Sequence, residues 1–315
     1  MHRRATWCLL KALLGTVGRH LPAASAAPYR ARGTRGGAKA SRIPAARRDG
    51  GASLGVIVVT GAARGMGRAC VDRLRDRADR LVAVDLEAPA IEGVLGVACD
   101  VSDPEAVGRL ADRARELGPF RALVHAAGIS PTMADPRRIF AIDLVATQLL
   151  LDAFEPLVEP GASAVCFASS AAYQVTLLGA GPELDAFVET PRAEGFLDAA
   201  AARFQDPGIA YGWAKRGVVR AAARAAVAWG RRGGRVNSVS PGIVDTPMAR
   251  RELEAQPMMR LILDHTPLRR LGRAEEVAAL VDFLVSDAAS FVTGTDVLID
   301  GGALEGLRGL VRGAR

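Results

Sequence analysis

The stretch "VIVVTGAARGMGRA", residues 56–69, constrains this chain more than any other. Four β-branched residues in succession, apolar on both sides, suit a strand buried on both faces, as in the interior of a parallel sheet. Gly61, Gly65 and Gly67 follow in a G-x-x-x-G-x-G arrangement and lead into a helical pattern. Glycines there allow a tight turn and a close approach of the backbone to a pyrophosphate, which then sits on the free amides of the helix N-terminus. A glycine triplet alone is a weak signal. Asp85, which closes the next β-rich run 18 residues after Gly67, strengthens it, because a carboxylate there can bind both ribose hydroxyls of a dinucleotide.

From Gly55 onward, short β-rich runs alternate with helical patterns. "VIVVT", "LVAVD", "ALVHAAG", "SAVCFAS", "GRVNSVS" and "DVLID" read as strands. "GRACVDRLRDRA", "PEAVGRLADRARELG", a long stretch around residues 142–157 and another over about 211–229 read as helices. Such alternation implies right-handed βαβ units and an α/β fold: a doubly wound parallel sheet of Rossmann type in a single domain over residues 51–315. In "VSDPEAV", Pro104 suits a first helical turn, with Ser102 or Asp103 as cap and Glu105 reaching back. In such a sheet the ligand lies beyond the C-terminal strand ends, where the motifs fall.

The formal charge of +7 suggests nucleic-acid binding until it is divided by position. Residues 1–50 hold 11 Lys plus Arg against one acid, Asp49, while the remainder holds 30 against 33. A slightly acidic body with 5% aromatic residues offers no basic stripe or stacking platform, so no nucleic-acid partner is expected. No segment is apolar for long enough to span a bilayer, and no membrane partner is expected. Cys8, Cys70, Cys99 and Cys166 form neither a C-x-x-C pair nor a disulfide framework, so they read as reduced, and no metal site is expected. Residues 1–50 suit a disordered extension, a wrongly assigned start or, through "WCLLKALLGTVGRHL", an organelle transit segment. A secretory signal fits less well, since Lys11, Arg19 and His20 break the apolar run. The expected location is the cytoplasm, with organelle targeting by residues 1–50 as the alternative.

In "YGWAKRG", Tyr211 stands four residues before Lys215. On a helix the two side chains share a face and can act on one bound molecule. With "TGAARGMGRA", "CDV", "HAAG", "ASS", "SPGIVDTP" and a closing "VLIDGG", the chain resembles the short-chain dehydrogenase/reductase family over about residues 54–302. The 41-residue step from Ser170 to Tyr211 marks an insertion at residues 171–210 that resembles the bacterial 3α-hydroxysteroid dehydrogenase/carbonyl reductase branch.

The resemblance implies roles. Tyr211 is the acid/base that exchanges a proton with the substrate oxygen, Lys215 stabilises its phenolate and binds the nicotinamide ribose, and Ser170 orients the carbonyl, with Ser169 as the competing candidate. Asp143 stands where the family usually has the Asn that holds a proton-relaying water, and it cannot donate when ionised. His125 also replaces a usual Asn and reads as structural. Gly61, Arg64, Gly65, Met66 and Gly67 form the phosphate turn. Asp85 holds the adenosine ribose, Asp100 and Val101 flank the adenine, and Ala126, Ala127 and Gly128 lie under that ribose. Pro241, Gly242, Ile243 and Thr246 hold the carboxamide end of the nicotinamide. The bland alternatives are that Asp100 only starts a turn and that Pro241 and Gly242 only end a strand, but their order relative to the other motifs disfavours that reading of the set.

Asp85 would repel a 2′-phosphate, so NAD is favoured over NADP, although Arg64 in the glycine loop argues the other way. The implied reaction is NAD(H)-dependent interconversion of a secondary alcohol and a ketone, on a steroid or another bulky apolar carbonyl. The alternatives are a non-catalytic dinucleotide-binding redox sensor and nucleic-acid binding through the basic leader. Family members assemble as homodimers or homotetramers. The insertion, read as two helical pieces separated near Pro191, should lie over or beside the reacting groups. There it would redirect assembly away from the Tyr/Lys helix or roof the substrate pocket.

Overall fold

In the computed structural model, residues 55–177 and 182–313 are described; the readings placed on residues 1–50 lie outside them. The β-branched run forms β1 (Val56–Thr60), every residue of which is buried. It is followed by β2 (Arg80–Asp85), β3 (Leu95–Ala98), β4 (Phe120–His125), β5 (Ser163–Phe167), β6 (Arg235–Pro241) and β7 (Asp296–Ile299). All pair in parallel, in the order β3-β2-β1-β4-β5-β6-β7. This is the doubly wound Rossmann-type sheet expected from the alternation.

Period-two alternation divides the core between the two faces. Ile57 and Val59 point into a cluster with α1 (Gly65–Leu74) and Ala274–Val285, while Val56 and Val58 point into one with α2 (Pro104–Leu117) and the helices of the other face. Asp103 caps α2, its side chain accepting from Glu105 N with Pro104 in the first turn. Ser102 instead donates to Asp100.

Two helices differ from expectation at their starts. The stretch placed around residues 142–157 begins earlier, as α3 (Pro136–Phe140) capped by Asp135. It passes through a π turn at Ala141–Val145 and continues as α4 (Ala146–Phe154). The wider turn is centred on Asp143, and π turns of this kind mark places where a helix is bent to serve a site.

The segment after β5 folds as α5 (Ala171–Leu177), α6 (Pro182–Val188) and α7 (Phe196–Arg203). The expected break near Pro191 separates α6 from α7, and α5 is an addition to the two expected pieces. The helix bearing Tyr211 and Lys215, α8 (Pro207–Arg231), starts four residues before Tyr211 because Asp206 caps it and Pro207 fits its first turn. Val188, Phe196, Ala200 and Phe204 join Phe140, Leu144 and Trp213 in a third apolar cluster, apart from the two that flank the sheet. Phe187 stacks on Phe196 with centroids 5.0 Å apart. Arg216 forks onto Asp185, binding α6 to α8 through 2.8 and 2.9 Å hydrogen bonds.

After β6 come α9 (Pro247–Ala255), α10 (Pro257–Asp264), α11 (Ala274–Val285) and α12 (Ala303–Gly313). No helix among the described residues is long and apolar enough to cross a membrane.

Candidate active site

The glycines of the first turn are required by the space around them. Gly61 has φ +67°, and a Cβ there would lie 2.6 Å from Ala127 N. Gly65 has φ +59°, a left-handed value that a side chain adopts only with strain. A Cβ on Gly67 would lie 2.1 Å from the carbonyl oxygen of Gly61. The turn therefore closes on bare backbone. Arg64, exposed and extended, occupies the cap position of α1 without a side-chain cap, and no acidic residue stands in the first turn. The amides of α1 are thus left to an outside acceptor, which the helix dipole favours being anionic.

Asp85, at the end of β2, is aimed back over this turn. Its Oδ2 accepts from Ala63 N at 3.0 Å and its Oδ1 from Leu86 N at 2.9 Å. Each oxygen retains a lone pair for a hydroxyl. Asp100 accepts from both the amide and the hydroxyl of Ser102, at 2.9 and 2.6 Å, and these bonds hold its carboxyl below the ordinary range. Val101 beside it is buried. Ala126 and Ala127 hang from Thr60, Ala126 N donating to its carbonyl and Ala127 N to its hydroxyl. Met66 packs against the neighbouring cluster.

Opposite lie Lys215, Asp143 and Tyr211. Lys215 is buried, and its ammonium donates to Phe167 O at 3.0 Å and to Asp143 Oδ1 at 3.1 Å, standing 5.7 Å from the centroid of the Tyr211 ring. Gly128 makes room for this pair: a Cβ there would lie 2.6 Å from Asp143 Oδ1 and 3.1 Å from Lys215 Nζ. Burial acts against the Lys215 charge, but Asp143 and Tyr211 outweigh it and hold the ammonium above its ordinary pKa. Burial lifts the Asp143 carboxyl above the usual carboxylate range against the pull of Lys215. Burial also lifts the Tyr211 phenol; Lys215 opposes this and Asp143 adds to it.

Ser169 works against burial to lower the Tyr211 phenol, and its Oγ accepts from Ala171 N at 3.2 Å. Ser170, its neighbour, is buried, with its amide bonded to Pro241 O and its Oγ 3.5 Å from Gln174 Nε2. Both serines thus stand at the strand end, and the one that lowers the Tyr211 phenol is the competing candidate of the pair. His125 is buried and bonded to Thr60 Oγ1 at 2.8 Å, with burial and then Lys215 pushing its pKa down to about 3. A neutral ring tied to the neighbouring strand is the structural role expected for it.

Pro241 ends β6, and Gly242 follows where a Cβ would lie 2.7 Å from Asp300 Cα. Ile243 continues this segment, and Thr246 caps α9 by accepting from Ala249 N. Thr246 Cγ2 would be 3.5 Å from a Cβ on Gly65, so this segment faces the phosphate turn. Helix α9 brings in a group that sequence reasoning missed. Glu252, 4% exposed, accepts from Ser130 Oγ at 2.6 Å, and Thr132 Oγ1 and Gln256 Nε2 also donate to it. Its charge is among those that raise Tyr211. Its hydroxyl partners lie 122 and 120 residues away, and no local pattern announces that pairing. A small cleft of about 40 Å³ opens here between Arg64, Ser130, Met133, Met248 and Arg251. A larger cavity of about 180 Å³ lies behind Gly242 and Ile243, away from Tyr211.

The tight turn that Gly61, Gly65 and Gly67 close on bare backbone, with the uncapped amides at α1 and the Asp85 carboxylate over it, forms a cradle that fits an extended dinucleotide. Comparison with known proteins agrees. A family model described as enoyl-(acyl carrier protein) reductase matches residues 61–178 and 197–303. A short-chain dehydrogenase/reductase of Alternaria brassicicola is 32% identical over 208 residues, covering 65% of this chain and 76% of that protein. The 3-alpha-hydroxysteroid dehydrogenase/carbonyl reductase of Comamonas testosteroni is 28% identical over 255 residues, covering 79% and 96%. The crystal structure of the 3-alpha-hydroxysteroid dehydrogenase from Pseudomonas sp. B-0831, complexed with NADH, matches with a TM-score of 0.67 at 27% identity, covering 82% of this chain and 99% of that one. The chain belongs to the short-chain dehydrogenase/reductase family. It is an NAD(P)-dependent oxidoreductase of the class that interconverts alcohols and carbonyls, and the hydroxysteroid enzymes are distant relatives among several branches.

Proposed function

We propose that the protein interconverts a secondary alcohol and a ketone with NAD(H) in preference to NADP(H), on a bulky apolar substrate of steroid-like character. The observation that carries this reading is the placement of Tyr211 one helical turn before a buried, doubly bonded Lys215 at the mouth of the glycine cradle. Gly61, Gly65 and Gly67 would hold the cofactor pyrophosphate, Asp85 the adenosine ribose, and Pro241, Gly242, Ile243 and Thr246 the nicotinamide end. When bound, the cofactor supplies or accepts the hydride.

The chain's own residues handle the proton. In the reductive direction the Tyr211 hydroxyl gives its proton to the carbonyl oxygen, and the resulting phenolate recovers one from solvent. In the oxidative direction the phenolate takes the alcohol proton. Ser169 and Ser170 donate hydrogen bonds that hold the substrate oxygen and the phenol in line, Ser170 in the orienting role that the family motif implies. Lys215 stabilises the phenolate charge that burial disfavours.

The preference for NAD(H) rests on Asp85, whose carboxylate is fixed by two backbone amides while Arg64 is exposed. A 2′-phosphate there would meet a fixed like charge. The apolar cluster built by α6 and α7 beside Tyr211 supports a bulky substrate, as do the hydroxysteroid relatives. Because α6 lies along α8, assembly of a homodimer uses another surface. The test is a panel of cyclic, steroidal and short-chain ketones and alcohols, followed by NADH and NADPH absorbance. Turnover of bulky ketones with NADH is expected. Turnover confined to short-chain carbonyls, or to NADPH, contradicts the reading.

A further inference from the structure

The pairing of Lys215 with a carboxylate bears on the direction in which the site works. Asp143 Oδ1 is shared between Lys215 Nζ at 3.1 Å and Ile129 N at 3.2 Å, while Asp143 Oδ2 is buried with no hydrogen-bond partner. An ammonium with a carboxylate at its side acts on a third group as a dipole, not as a full charge, and in a buried site little solvent screens the difference. Tyr211 is that third group.

Burial is the largest influence keeping Tyr211 protonated, and among the groups facing the pair Asp143 is the stronger negative charge. From β4, His125 is neutral; from β5, the Cys166 thiol is pushed up to about 12 by burial and is uncharged at working pH. Ser169, after β5, carries a neutral hydroxyl that lowers the phenol. Glu252, from α9, is the second carboxylate, and its charge is already spread over bonds from Ser130, Thr132 and Gln256.

We propose that Asp143 is a positioning residue that keeps Tyr211 protonated, setting the enzyme as a carbonyl reductase near neutral pH and as an alcohol dehydrogenase only under alkaline conditions. Reduction consumes the phenol proton and so uses the form that Asp143 favours. Oxidation needs the phenolate, which Asp143 disfavours by cancelling part of the Lys215 charge. An Asn at position 143 would keep the volume and the acceptor for Ile129 N and would remove the charge. The inference rests on Tyr211 as the acid/base, but its test does not.

The chain has three tyrosines, Tyr29, Tyr173 and Tyr211. Burial and Tyr173's hydrogen bond to Asp296 push the Tyr173 phenol far up. Tyrosinate absorbance of the full chain without cofactor, differenced against Tyr211→Phe, therefore isolates Tyr211. In the unmodified protein Tyr211 should titrate above the ordinary value of about 10. Asp143→Asn should move that titration down by about one pH unit or more, and the rising limb of alcohol oxidation should move down with it. An unchanged or upward-shifted Tyr211 titration in folded Asp143→Asn overturns the inference. So does a Tyr211 that titrates below about 10 in the unmodified protein, a result that needs no folded variant. Either outcome leaves the acid/base role of Tyr211 standing, because that role is read from turnover of Tyr211→Phe.

Discussion

The glycine-turn half, residues 55–128, and the half that carries Tyr211 and Lys215, residues 129–256, solve opposite problems. The first is built from absence: side chains missing at Gly61, Gly67 and Gly128, and amides at α1 left uncapped. The Asp85 carboxylate over the turn is partly exposed and steadied by neighbouring amides. The second half is built from buried charges set against one another: Lys215 against Asp143, and Glu252 against two hydroxyls and an amide. Steric requirements are local and intolerant of change. Balanced charges are tunable, because each partner can be altered without moving the backbone.

The largest expected effect tests the first half of that contrast. Gly67→Ala would put a methyl 2.1 Å from a backbone carbonyl that cannot swing aside, so NADH binding should be lost and the melting temperature should fall. Gly108→Ala, in α2 where nothing lies within 4 Å of the added carbon, should instead stabilise by about 1 kcal/mol. NADH fluorescence titration and thermal melts read both; a Gly67→Ala protein that binds NADH normally would break the steric account of the turn. The next effect tests whether the two halves separate. Phe196→Ala empties a buried position between Phe140 and Phe187, and about 3 kcal/mol of stability should go with it, while NADH affinity changes little. Equal loss of NADH binding would mean that the third cluster also holds the nucleotide turn. The smallest effect sharpens the cofactor choice. Asp85→Ala should weaken NADH and narrow its advantage over NADPH about tenfold, roughly 1.4 kcal/mol, the scale of one charge-assisted hydrogen bond. A ratio of dissociation constants that does not move would shift the preference to Arg64.

The contrast also explains what could be read from the sequence. β1, the glycine turn and Asp85 were legible because their causes lie within thirty residues of one another and leave a mark in residue type. The edge strand β3 was missed: it has four residues, a glycine and no buried position, so its short apolar run reads no differently from a loop. Helix α3 was missed as the start of the α4 stretch because its signal is a cap, Asp135 with Pro136, and not a periodicity. The π turn at Ala141–Val145 leaves no compositional trace. Tyr211 and Lys215 announced themselves by spacing, whereas the Lys215–Asp143 pair spans 72 positions and Glu252 reaches Ser130 across 122. Pairings of that kind are set by tertiary packing. The choice between Ser169 and Ser170 is likewise a matter of how the chain turns after β5, which two identical neighbours cannot encode.

The central claim is that Tyr211 transfers the proton while contributing little to holding the cofactor. It is tested most directly by measuring NADH affinity and ketone turnover side by side in Tyr211→Phe and the unmodified protein. Because the ring still packs and only the hydroxyl is removed, NADH affinity should be nearly unchanged and turnover should fall at least about a hundredfold. Substantial turnover in Tyr211→Phe, with NADH still bound, would contradict the assignment.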